Sequence, residues 1–191
     1  MPRTREQFSE MKDERRSAIL KAALPLFSLG NKVTIDMIAD KAKCSHGIVY
    51  HYYKNTDQIL EKLLKSSTCV ELRQLLFAAE GSSYEKIEHI VSVLLDVSKD
   101  KIDDVCYLNM IIRENDKASL RFLLTKLVKD GQTANTIMGG DPIQLVDSIL
   151  LMLKGIYLTF LLEKHPDIKV PSCETVMQLL RKPTNFGHRI L

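Results

Sequence analysis

Along this 191-residue chain the apolar positions recur with the period of a helix, not that of a strand. Ile19, Ala22, Ala23, Leu26 and Phe27 fall at i, i+3, i+4, i+7 and i+8, which is one stripe on one helix face. Pro25 sits inside that stripe, lacks a backbone donor and predicts a kink in the last turn, and Gly30-Asn31 predicts the stop. Thr34 then suits the N-cap of a short helix with Ile35, Ile38, Ala39 and Ala42 inward. Ser45 suits a second N-cap, for a helix carrying Ile48, Val49 and Tyr52 or Tyr53. Lys54-Asn55-Thr56 breaks the pattern, and Ile59, Leu60, Leu63 and Leu64 mark the next helix. Further helices are predicted over residues 69–79, 84–98, 102–115, 118–138 and 142–164, with a short last one at 173–181. Gly81-Ser82-Ser83, Gly139-Gly140-Asp141-Pro142 and His165-Pro166 supply the breaks between them. The pattern predicts an all-α fold of about nine helices with no sheet.

Composition narrows the class. Hydrophobic residues make up 45% of the chain, enough for a real core. The opening Met1-Pro2-Arg3-Thr4-Arg5-Glu6 is charged and predicts no secretory signal. No run of 18 unbroken apolar residues exists; in the nearest candidate, 145–162, Asp147 and Lys154 interrupt. A cytoplasmic protein with no membrane partner is expected. Cys44, Cys69, Cys106 and Cys173 are dispersed, without a CxxC pair, and suit reduced, packed thiols better than a metal site. The net charge of +3 is unevenly placed. Residues 1–64 hold 11 basic against 8 acidic side chains, whereas residues 65–191 balance. A basic first third on a neutral remainder points to a module that meets a polyanion.

Residues 34–53 carry the functional signal. Two short helices flank the turn Lys43-Cys44-Ser45, the spacing of a helix-turn-helix whose second helix enters the DNA major groove. Ile35, Ile38 and Ala39 can hold the first helix against its predecessor, and Ile48 or Val49 can anchor the second from behind. The outward face, His46, Gly47, Tyr50 and His51, is then polar or small. Lys41, Lys43 and Lys54 flank it and can neutralise phosphates.

Residues 16–64 resemble the DNA-binding domain of the tetracycline-repressor (TetR) family. The matching pattern is Ile19-Leu20, Ala23, Leu26-Phe27 and Gly30, then Thr34, Ile38-Ala39 and Ala42, then Ser45, Gly47, Tyr50 and Tyr53, then Leu60. The resemblance implies that residues 1–64 bind DNA and that residues 65–191 form a helical bundle for dimerisation and effector binding. It also implies roles. Thr34 caps the scaffold helix and touches a phosphate, and Ser45 caps the recognition helix. His46 and Gly47 face base edges, Tyr50 gives its hydroxyl to a phosphate, and His51 reaches a base or a phosphate. Lys54 binds the backbone just beyond. Two departures stand out. Lys43 lies where the family usually has Gly, and Thr56 lies where it usually has a phosphate-binding Lys. Local charge is conserved by that exchange, so Lys43 is expected to bind the backbone phosphate in place of Thr56.

The helix over 142–164 is apolar nearly all round, so one partner face cannot cover it. This predicts a homodimer seam through Ile149, Leu153, Ile156 and Phe160, completed by Met177 and Leu180 of the last helix. Two recognition helices would then read a palindromic operator. The resemblance further implies a small-molecule effector among the middle helices, with Leu94, Tyr107, Met110, Ile111, Phe122 and Met152 as candidate lining. No HExxH, GxSxG, P-loop or Rossmann fingerprint is found, and neither enzyme activity nor a cofactor nor a metal is expected. The expected function is that of a transcriptional repressor released from DNA by its effector. The rival reading is a helical protein-interaction adaptor with a vestigial helix-turn-helix.

Overall fold

The computed structural model describes residues 5–30, 32–114, 119–163 and 168–181. The predicted break at His165-Pro166 and the stop residue Asn31 lie outside them. Among the described residues there are ten α-helices, two short 3-10 turns and no strand. They are α1 (Arg5–Leu29), α2 (Ile35–Lys41), α3 (His46–Tyr52), α4 (Thr56–Leu64), α5 (Ser67–Phe77), α6 (Ser83–Leu95), α7 (Ile102–Arg113), α8 (Leu120–Thr133), α9 (Pro142–Leu162) and α10 (Cys173–Met177).

Side-chain oxygens at the N-caps start most of the helices. Ser66, Ser82, Ser119, Asp141 and Ser172 each accept a backbone N–H from the first turn. Ser82 and Glu85 form a reciprocal capping box, whose hydrogen bonds hold the Glu85 carboxyl below its ordinary pKa. The helices end earlier than the apolar pattern predicts. For example, α8 stops at Thr133, not near 138, because Asn135 takes a left-handed turn (φ 60°) that Asn tolerates. Ile137 then folds back into the core. Pro25 does not end α1, which continues to Leu29.

At the centre stands α7. Its residues 105–112 are all buried, because α1, α5, α8 and α9 surround it. The partner it meets most extensively is α1. There the C-terminal end of α1 leaves orphan carbonyls. Asn109 Nδ2 donates to Ser28 O at 3.0 Å, and Arg113 Nη1 donates to the same oxygen at 2.7 Å. Ser28 is fully buried, so this carbonyl has no recourse to water. Gly30 turns the chain away with φ +72°, and a Cβ there would fall inside the Arg113 guanidinium.

Towards the other end, α9 packs on α7 and α8. Its residues Val146, Ile149, Leu150, Leu153, Ile156 and Tyr157 are buried. This corrects the expected seam: Ile149, Leu153 and Ile156, with Met177 and Leu180, are covered by the chain's own core, and Phe160 is half-buried. The open side of α9 is a different stripe, Gln144, Ser148, Leu151, Gly155, Leu158 and Leu162. By length and composition α9 is also apolar enough to cross a membrane, although Asp147 and Lys154 interrupt its apolar run; a third of its most apolar stretch is buried inside the fold.

A buried hydrogen bond ties α9 to α6. Tyr157 Oη donates to Leu94 O at 2.7 Å, satisfying a carbonyl at the end of α6, and burial pushes the phenol pKa well above its ordinary value. Tyr157→Phe should therefore cost about 1–2 kcal/mol, because the carbonyl stays buried without its donor. Urea denaturation should show a lower midpoint at unchanged slope; an unchanged midpoint would mean that this bond adds nothing to stability.

Candidate nucleic-acid interface

Helix α2 is held from beneath. Ile35, Ile38 and Ala39 are buried against α1 and α3, and Thr34 Oγ1 accepts the Met37 amide at 3.2 Å. Its C-terminus closes as a Schellman motif. Cys44 N donates to Ala39 O at 3.0 Å, and Lys43 N donates to Asp40 O at 3.2 Å. Lys43 occupies the left-handed position of that motif, with φ 51°. An L side chain there is strained by about 1 kcal/mol relative to glycine.

Ser45 then starts α3, its Oγ accepting the Ile48 amide at 3.4 Å. Val49 is fully buried and anchors α3 from behind, and Tyr53 is buried at its end. Burial raises the Tyr53 phenol pKa, while the neighbouring Arg16 lowers it. Beyond lies a cap that the sequence pattern read only as a break. Asn55 Oδ1 accepts the Gln58 amide at 2.9 Å, and Gln58 Oε1 accepts the Lys54 amide at 2.7 Å. The Lys54 backbone is thereby fixed just past α3.

What this leaves outward is one continuous surface. Thr34, Lys43, Ser45, His46, Gly47, Tyr50, His51 and Lys54 are all exposed, and Thr56 is partly so. Tyr50 is 57% exposed, although an aromatic side chain gains most from burial. Gly47 carries no side chain, and a Cβ there would meet only Ser45 Oγ, at 3.9 Å, so a groove wall can come close to α3. Two interactions that the sequence did not predict shape the surface. Arg16 of α1 lies over the Tyr52 ring, 5.6 Å from its centroid, and braces α3 from the side. His46 Nδ1 lies 3.3 Å from Asp36 Oδ1 across the turn.

Of the residues expected to line an effector site, Leu94, Tyr107, Met110 and Ile111 belong to one hydrophobic core and Met152 packs against it. Leu94 and Ile111 are fully buried, Tyr107 is nearly so, and Met152 is half-buried on α9. Phe122 is 54% exposed on α8. Met110 borders a small cavity of about 220 Å³ with Phe27, Leu60 and Leu64, where α1 and α4 meet α7. Among the described residues no group of His, Cys, Asp and Glu could hold a metal ion.

An all-helical body carrying a capped helix-turn-helix, with polar side chains outward and apolar ones inward, defines a helix-turn-helix protein. Residues 19–63 match the family described as bacterial regulatory proteins, tetR family. A curated relative, the HTH-type transcriptional regulator HbdR of Aromatoleum sp. (strain CIB), is 30% identical over 133 residues, 66% of this chain. The chain spans about half the length of that relative, 55%. Among solved structures, the MbdR regulator from Azoarcus sp. CIB aligns with a TM-score of 0.59 at 19% identity, covering 87% of this chain and 97% of that one. AibR, solved in complex with isovaleryl coenzyme A and operator DNA, aligns with a TM-score of 0.58 at 16% identity, covering 86% and 94%. Over residues 19–63 the chain is thus similar to the tetR family of bacterial regulatory proteins, and its fold is that of the solved MbdR and AibR regulators.

The strained turn makes a separable prediction. Lys43→Gly should raise stability by up to about 1 kcal/mol, the relief of φ > 0 being partly offset by a more flexible unfolded chain. Chemical denaturation of the variant should show a higher midpoint. A lower midpoint would mean that the lysine side chain stabilises the turn by more than its backbone strains it.

Proposed function

We propose that this protein is a homodimeric, cytoplasmic transcriptional repressor that binds a palindromic operator and leaves it when a small effector binds. Residues 1–64 form the DNA-binding domain and residues 65–191 the effector and dimerisation domain. The observation that carries the reading is the single outward surface of Thr34, Lys43, Ser45, His46, Gly47, Tyr50, His51 and Lys54, set on a buried scaffold. Capped helix N-termini at Thr34 and Ser45 and the charge of Lys43 and Lys54 suit phosphates, while His46 and Gly47 suit base edges. The neighbouring AibR, solved with operator DNA and isovaleryl coenzyme A, supports both the DNA partner and an acyl thioester as effector class. A protein-interaction adaptor would need none of this polar surface, and nothing in the site favours an enzyme.

The second copy docks, in this reading, on the open stripe of α9. Leu151, Leu158 and Leu162 are exposed apolar side chains at helical spacing, with Gly155 between them. Nothing surrounds the Gly155 Cα within reach of a Cβ, so two α9 helices can approach closely there. The partner is a second chain because DNA reading by one seven-residue helix is weak, and a two-fold axis doubles it.

Two experiments test the reading. Duplexes retained from a random pool should yield a palindromic consensus. His46→Ala should change which bases are selected, whereas Lys54→Gln should weaken all sequences alike. Lys43→Gly should flatten the salt dependence by about one phosphate contact, even as it stabilises the fold. Equal effects of the His46 and Lys54 changes would overturn the assignment of roles. Leu158→Glu should convert a two-chain species to one chain in sedimentation while leaving the helical spectrum intact; a variant that stays dimeric would move the seam elsewhere.

A further inference from the structure

Asp36 carries the wrong charge for a surface that meets a polyanion. It lies in the first turn of α2, beside the buried face formed by Ile35, Ile38 and Ala39, and its side chain is 72% exposed. Its Oδ1 lies 3.3 Å from Nδ1 of His46, the first residue of α3, whose own side chain is 54% exposed. That contact bridges the two helices across the turn and sets the carboxylate beside the residue that opens the outward face of α3. Among the described residues no Lys or Arg pairs with Asp36, although Lys43 and Lys54 stand on the same surface. A carboxylate in the first turn suits the helix dipole. The dipole does not require an imidazole opposite it, and against phosphates the same charge opposes binding.

We infer that Asp36 reads a base, and that Asp36 and His46 together select a cytosine in the major groove. An ionised carboxylate is an acceptor only, so it is drawn to an amino donor and repelled by the acceptors of guanine and thymine. Two bases present such a donor in the major groove, cytosine at N4 and adenine at N6. Adenine sets its N7 acceptor beside the amino group, where it repels the second carboxylate oxygen. Cytosine sets no acceptor of its own there, so cytosine is the preferred base. His46 stands against Oδ1, so the carboxylate is oriented before DNA arrives and loses less freedom on binding. The charge that gains a bond at cytosine is repelled wherever that donor is missing, because the phosphates remain close. Asp36 therefore weakens binding to random duplex more than binding to the matching one. Lys43 does the reverse, since its charge favours every sequence alike. This inference rests on the DNA-binding reading above and adds a residue of α2 to those of α3 that face base edges.

The test uses the full chain and duplexes selected from a random pool, with Asp36→Asn and Asp36→Ala beside the unmodified protein. The unmodified chain should select a consensus containing a cytosine that Asp36→Asn exchanges for adenine, because an amide offers adenine both a donor and an acceptor. Asp36→Ala should lose the preference at that position alone. Both variants should bind random duplex more tightly than the unmodified chain does at low salt, while the ratio of consensus to random affinity falls about tenfold, the scale of one base contact. A consensus duplex with that C·G pair changed to T·A should bind the unmodified chain about tenfold more weakly. Asp36→Ala should not distinguish the two duplexes. His46→Ala should blur the cytosine as well as the base that His46 itself meets. A consensus and an affinity ratio that both Asp36 variants share with the unmodified chain would overturn the inference, and a lowered denaturation midpoint beside them would leave Asp36 as a helix-end charge. An unmodified chain that retains no duplex at all would overturn the DNA-binding reading, and this inference with it.

Discussion

The end of a helix is an unsolved electrostatic problem, and in this protein its solution joins the two halves of the chain. The last carbonyls of α1 have no partners within their own helix. Burial of Ser28 removes water as a remedy. Asn109 and Arg113 supply the donors from α7, more than 80 residues away in sequence. Gly30 permits this closure twice over, by turning left-handed and by leaving room for the guanidinium. A cationic group at a helix C-terminus is also favoured by the helix dipole. The position of the helix-turn-helix therefore follows from α7, because α1 carries α2 and α4 on its other side.

How much of this could be seen in the sequence divides along a physical line. Helix type, the N-caps Thr34 and Ser45, and the outward set on α3 depend on residues close in sequence, and periodicity and capping chemistry report on them well. The closure of α1 depends on residues far apart, and nothing in the local pattern of Ser28, Asn109 or Arg113 marks them as partners. The phase of α9 failed for a different reason. A helix apolar on every side has no moment to say which stripe faces inward, so Ile149, Leu153 and Ile156 were as plausible a seam as Leu151, Leu158 and Leu162. The helix buried on all sides over residues 105–112 proved to be α7, where Asn109 makes the sequence look less apolar than its surroundings. The candidate effector residues Leu94, Tyr107, Met110 and Ile111 sit in the common core, where Met and aromatic side chains at helical spacing serve packing as readily as ligand binding.

On the proposed recognition surface a local rule is broken. A left-handed position that glycine would occupy without strain holds Lys43 instead. The excess positive charge of the chain is small, and it is confined to the first 64 residues. A cation at the tip of the turn, directly before the recognition helix, puts part of that charge at the protein's leading edge. The conformational cost is local and modest, while the Coulombic gain appears only when a polyanion is present.

The outward leucines of α9 have a bearing on what any stability of this protein means. In the proposed dimer, Leu151, Leu158 and Leu162, exposed on one chain, are covered by the second. The folded state is then stabilised by mass action, and the unfolding midpoint becomes a function of protein concentration and not a constant of the sequence. The chain is least secure when it is most dilute, as it is when first synthesised. Its persistence is thus tied to its own abundance.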